Sequence, residues 1–82
     1  MEAKKILDIV ELHTAVTVEQ AQEHIKNGYN PRDEYFRAMH HIDAIESFAS
    51  DMLVLCTGSV KENWEKLDKL INTQTDILEG LY

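Results

Sequence analysis

The sequence predicts an all-α protein, a small helical bundle built on a long antiparallel helical hairpin over 31–56 and 60–79 with two shorter N-terminal helices ahead of it. Three observations carry this. Apolar residues recur at intervals of three and four through both long segments, the period of a helix with one face turned to a core. Start and stop signals, Asn30-Pro31 and Thr57-Gly58-Ser59, stand where those periods begin and break. The composition, 44% hydrophobic and 28% charged with three Gly and one Pro, supplies enough apolar surface to offset the entropy of ordering. Eighty-two residues bury one core and not two, so 1–82 is read as one domain.

The first helix is expected over 3–15, where Ile6, Ile9, Val10 and His13 follow a helical period. From His13 to Val18 the chain is rich in β-branched residues, and this stretch fits an extended bridge as well as a helix. Thr17-Val18-Glu19-Gln20 reads as a capping box, opening a second short helix marked by Val18, Ala21 and Ile25 and closed by Asn27-Gly28. Asn30 then caps a third helix. Pro31 takes the first helical position, where its missing N–H is not needed, and Asp33 and Glu34 face the positive end of the helix dipole. Tyr35, Ala38, Ile42, Ile45, Ala49, Met52 and Cys56 form its core stripe, widened by Met39, Phe48, Leu53 and Leu55, and Asp33 with Arg37 forms an ion pair four residues apart. Thr57-Gly58 provides a left-handed stop and Ser59-Val60-Lys61-Glu62 a capping box, so the last helix must fold back on the third. It presents Val60, Trp64, Leu67, Leu70, Ile71, Gln74, Ile77 and Leu78 to the core, offsets Glu62 from Lys66 and Glu65 from Lys69 by four, and ends at Gly80.

Chemistry is hard to place on this frame. Fifteen acids against eight bases give a net charge of -7, which repels phosphate backbones and anionic lipid, so neither nucleic acid nor membrane is an expected direct partner. A helix-turn-helix over 18–26, 27–30 and the helix from Pro31 would turn Asp33 and Glu34 toward the phosphates. No N-terminal apolar run has the length of a signal peptide or span, and the single Cys56 forms no internal disulfide and no zinc spacing, which places the chain in the cytoplasm with a core thiol. His40 and Asp43 share a face, but two ligands do not make a metal site; Gly28, Gly58 and Gly80 are isolated, so no phosphate-cradling loop and no cofactor is expected.

What remains is surface. Met52-Leu53-Val54-Leu55-Cys56 is apolar all round, and either the N-terminal helices or a second copy of the chain must cover Leu53, Val54 and Leu55. Phe36 and the terminal Tyr82 lie at or beyond the edges of the stripes, where aromatic anchors of interfaces are found. The expected function is a non-enzymatic protein-protein interaction module, a homodimer or higher homo-oligomer, that binds another protein. A second reading is a small acidic inhibitor, of the kind phages or mobile elements encode, in which Asp33, Glu34, Asp43, Glu46 and Asp51 imitate a row of phosphates to block a nucleic-acid-binding or host-defence enzyme. A third is a small-ligand binder with Tyr35, His41 and Trp64 lining a pocket between subunits.

Overall fold

The computed structural model describes residues 2–81; they form three helices, α1 (Ala3–Lys26), α2 (Pro31–Val54) and α3 (Val60–Leu81), with no strand among them. The expected break in the N-terminal region is absent. A single helix of 24 residues replaces the two short ones. The reason lies in two threonines. Thr14 Oγ1 donates to the Val10 carbonyl at 2.8 Å and Thr17 Oγ1 to the His13 carbonyl at 2.8 Å, so Thr17 bonds backward along a continuing helix instead of capping a new one. The β-branched run costs about a few tenths of a kcal/mol per residue in propensity. Burial of Val10, Thr14, Thr17 and Val18 against the other helices outweighs that.

The ends of the helices follow their local chemistry. At the close of α1 the Gly28 N–H donates to the Ile25 carbonyl and the Tyr29 N–H to the His24 carbonyl, both at 3.0 Å, with Gly28 at φ 98°. This is a Schellman stop, and the positive φ requires glycine. Asn30 Oδ1 then accepts from the backbone N–H groups of Arg32 (2.9 Å) and Asp33 (3.3 Å), capping α2 with Pro31 at its first position. α2 stops at Val54, two residues short of the expected 56. The Leu55 and Cys56 N–H groups reach back only three residues, to Met52 and Leu53, which tightens the last turn before Gly58 at φ 94°. Ser59 Oγ accepts from the Glu62 N–H at 3.3 Å, one half of the expected capping box. Gly80 does not end α3, which continues to Leu81 because Gly80 is not in a left-handed conformation.

Helices of 24, 24 and 22 residues are about 33 to 36 Å long at 1.5 Å per residue, and the molecule measures 44 × 16 × 15 Å, so all three lie along its long axis. Each packs on both others. The core draws Leu7, Val10, Val18 and Ala21 from α1, Ala38, Ile42, Ala49 and Leu53 from α2, Cys56 from the turn, and Leu67, Ile71 and Leu78 from α3. Ile42, Leu53, Leu67 and Leu78 are its largest fully enclosed side chains.

Four core assignments are corrected, Phe48 of α2 and Leu55 just past its end, 69% and 71% exposed, and two on α3. Trp64 is 41% exposed and Ile77 42%. The buried seam of α3 runs through Asn63, Leu67, Ile71 and Leu78, and Trp64 lies about 100° round from Asn63. From that edge its indole N–H donates to the Ser50 carbonyl at 3.1 Å, which lets a large ring cover the α2 surface while satisfying its polar atom. Asn63 takes the interior position, with its Nδ2 buried and without a hydrogen-bond partner.

Candidate interaction surface

The apolar end of α2 divides by helix phase. Leu53 is fully buried and Cys56 nearly so, whereas Val54 is 52% exposed, Leu55 71% and Phe48, nearly two turns earlier, 69%. Leu53 is therefore a core residue and no contact for a partner. At 100° per residue Val54 and Leu55 turn progressively out of the core that Leu53 enters. Leu55 sits in the turn that follows α2. Cys56 is a core thiol, as expected, and its Sγ donates to the Met52 carbonyl at 3.5 Å.

A second apolar surface lies on α1. Ile9, Leu12 and Val16 of α1 are 55%, 62% and 40% exposed. At 100° per residue they cluster on the side of α1 opposite Leu7, Val10, Thr14, Val18 and Ala21, which face the core. Within 3–15 alone, Ile6, Ile9 and Val10 fit one helical stripe. Only the continuous helix, with its core side fixed by both halves, separates the two faces.

The aromatic candidates lie elsewhere. Phe36 is 46% exposed, with the Arg32 guanidinium 5.7 Å above its ring and Tyr35 edge-on at 5.4 Å. Tyr82 lies outside the described residues. Tyr35, His41 and Trp64 are not brought together. His41 is exposed, and Trp64 meets α2 at Ser50, fifteen residues and about 22 Å along the helix from Tyr35.

The acidic row is also broken. Asp33, Asp43 and Asp51 are exposed and Glu46 half-buried, but Glu34 is buried. Arg37 grips Glu34 with a two-pronged bond, Nε to Oε2 at 3.1 Å and Nη2 to Oε1 at 3.0 Å, so the expected pairing of Arg37 with Asp33 gives way to one three residues apart. His24 Nδ1 contacts the same Oε1, and the Tyr29 ring stacks on His24 at 4.8 Å. The Arg37 hydrogen bonds hold the Glu34 carboxyl below its ordinary pKa against the opposing effect of burial, with His24 assisting. Glu34 in turn raises Arg37. This cluster joins the last turn of α1 to the first two turns of α2. Glu46 is shifted the other way, upward, by burial and then by the charges of Asp68 and Asp43.

Two surface depressions, one along Asp8, Glu11, Leu12 and Ala15 and one along Glu62, Glu65, Lys66 and Lys69, are each lined by a single helix. Among the described residues no group of three or more His, Cys, Asp or Glu is placed to hold a metal ion, and no helix is long and apolar enough to cross a membrane. No family model matches the chain, and no curated protein and no solved structure matches it either.

Proposed function

We propose that this chain is a non-enzymatic protein-protein interaction module that self-associates and acts by binding another protein. The observation that supports it is apolar surface left in water. Phe48, Val54 and Leu55 are each more than half exposed and lie within two turns of one another at the end of α2, with Ile9, Leu12 and Val16 forming a second group on α1. Single exposed apolar residues are ordinary, but grouped ones mark contact sites. The antiparallel hairpin belongs to the same reading. α2 and α3 are joined by a turn of only five residues, 55–59, and the Trp64 indole reaches back to Ser50, both of which support helices that return along each other and present the 48–55 surface at one end. A free, buried Cys56 fits the reducing cytoplasm.

The test is capture from a lysate of the source cells with wild-type and Leu55→Lys protein, at low and high salt, with circular dichroism as the control for folding. A protein held by wild type in high salt and lost from Leu55→Lys supports an apolar contact at the end of α2. Capture that vanishes with salt and ignores Leu55→Lys overturns it. That second outcome belongs to the acidic-inhibitor reading, which Asp43, Glu46 and Asp68 favour, since the charges of Asp68 and Asp43 add to burial in raising the Glu46 pKa and the three form a negative patch suited to a basic groove.

A further inference from the structure

On the outer face of α1, apolar and charged residues follow one seam. Glu2, Lys5, Ile9, Leu12, Val16, Glu19, Glu23 and Lys26 are separated by alternating steps of three and four, the spacing of a coiled-coil seam, with β-branched residues and leucine alternating at its centre. The seam points away from α2 and α3. All of it but Glu2 lies within α1, Lys5 in its first turn and Glu23 and Lys26 in its last, and its apolar members are 40% to 62% exposed. Beside it, Asp8, Glu11, Leu12 and Ala15 enclose a shallow depression. Four residues at offsets of three, four and seven are the outline of a hole that receives a side chain from a facing helix.

The charges say which facing helix. We propose that the seam is covered by the same seam of a second copy of this chain, running antiparallel. Aligned so that paired residue numbers sum to 28, Leu12 of one copy lies beside Val16 of the other, Ile9 packs against the aliphatic stem of Glu19, Lys5 meets Glu23, and Glu2 meets Lys26, each contact occurring twice by symmetry. A parallel pairing would set Lys5 against Lys5 and Glu23 against Glu23, so it is disfavoured at every charged layer. The overall charge of -7 on each copy opposes association, and the local complementarity therefore fixes the orientation as well as aiding the contact. Three apolar side chains per copy make a small interface, so the dimer forms reversibly with concentration.

This inference rests on the self-association in the proposed function and adds the face and the direction. The experiment is sedimentation or light scattering across a concentration series at low salt for wild type, Lys5→Glu, Glu23→Lys, and a 1:1 mixture of the two variants, with helicity followed by circular dichroism. Wild type should pass from monomer to dimer. Each variant alone places like charges at both ends of the seam and should dimerise about tenfold or more weakly. The mixture restores opposite charges at both ends, and should return to dimer with an affinity near that of wild type. Because both chains in the mixture are the same ones that fail alone, a folding defect cannot imitate this recovery. A wild-type chain that stays monomeric overturns self-association itself. A wild-type dimer that Lys5→Glu leaves unchanged, or variants whose mixture stays monomeric, overturns the antiparallel α1 seam alone.

Discussion

Leu53→Ala and Leu55→Ala remove the same atoms from positions two residues apart, one fully buried and the other 71% exposed. The first opens a cavity among enclosed side chains, at a cost of about 2.7 to 5 kcal/mol for a leucine that its surroundings cannot collapse onto. At about 0.05 to 0.15 kcal/mol per residue the whole domain is worth about 4 to 12 kcal/mol, so the loss is about a fifth of its stability or more. With about 4 to 8 °C per kcal/mol for a chain of this size, the thermal midpoint should fall by about 10 °C at the least, and at the upper end the variant is largely unfolded at ambient temperature. Leu55→Ala should stay within about 0.5 kcal/mol of wild type. Urea and thermal unfolding followed by circular dichroism measure both, at one fixed low protein concentration because association would raise the midpoint. Equal losses in the two variants, or a Leu53→Ala midpoint unchanged from wild type, would refute the opposite placement of Leu53 and Leu55 and with it the division between core and contact surface.

Asn63→Leu should raise stability by about 1 to 3 kcal/mol, since it removes a buried amide nitrogen that has no partner; a lowered midpoint would show that the amide is satisfied or fixes the packing. Trp64→Ala should cost less than Leu67→Ala, about 3 kcal/mol or more for the latter, because the indole is partly in water while Leu67 is enclosed; a reversed order in urea unfolding would return Trp64 to the core. Glu34 has a lowered pKa in the folded state, so its stabilising contribution is present above the ordinary glutamate range and is lost as pH falls through the lowered value; Glu34→Gln should be less stable than wild type at neutral pH and lose less on acidification. Glu46 has a pKa raised by burial and then by Asp68 and Asp43, so its charged form is disfavoured in the folded state, and Glu46→Gln should raise the midpoint at neutral pH by an amount that disappears once pH is below the ordinary glutamate range; parallel pH profiles for wild type and variant would refute the raised pKa.

The features legible in the sequence are those decided within a few residues. Asn30-Pro31, Asn27-Gly28 and Ser59 work through bonds to their near neighbours, and all three stand where expected. Thr17 shows the limit of that logic, because one hydroxyl serves equally as a cap for the turn ahead or as a donor to the carbonyl behind. Packing against α2 and α3 decides which, and packing is not local. The same limit applies to 52–56, where five successive apolar residues offer no contrast from which to tell Leu53 from Leu55. Hydrophobicity favours Trp64 over Asn63 for the interior, yet phase with Leu67 and Ile71 places Asn63 there. Glu34 was counted as surface because its partners, His24 ten residues earlier and Arg37 three later, meet only when α1 and α2 are joined at the corner.

The exposed residues of α1 call for an explanation that folding does not supply. Ile9, Leu12 and Val16 keep 40% to 62% of their surface in water in the folded chain, so burial within the monomer returns only part of what an enclosed aliphatic side chain gives. As helix formers Ile and Val are inferior to the Lys, Glu and Gln that occupy other outward positions of the same helix, by about a few tenths of a kcal/mol each. Stability of the isolated bundle would thus favour polar residues at these sites, and solubility would favour them more strongly. An apolar side chain that neither packs fully inside nor improves its helix contributes most when a second surface removes it from water, at about 25 cal/mol for each Å² covered. Lys5 before them and Glu19 and Glu23 after them on the same seam add the direction in which that surface must run.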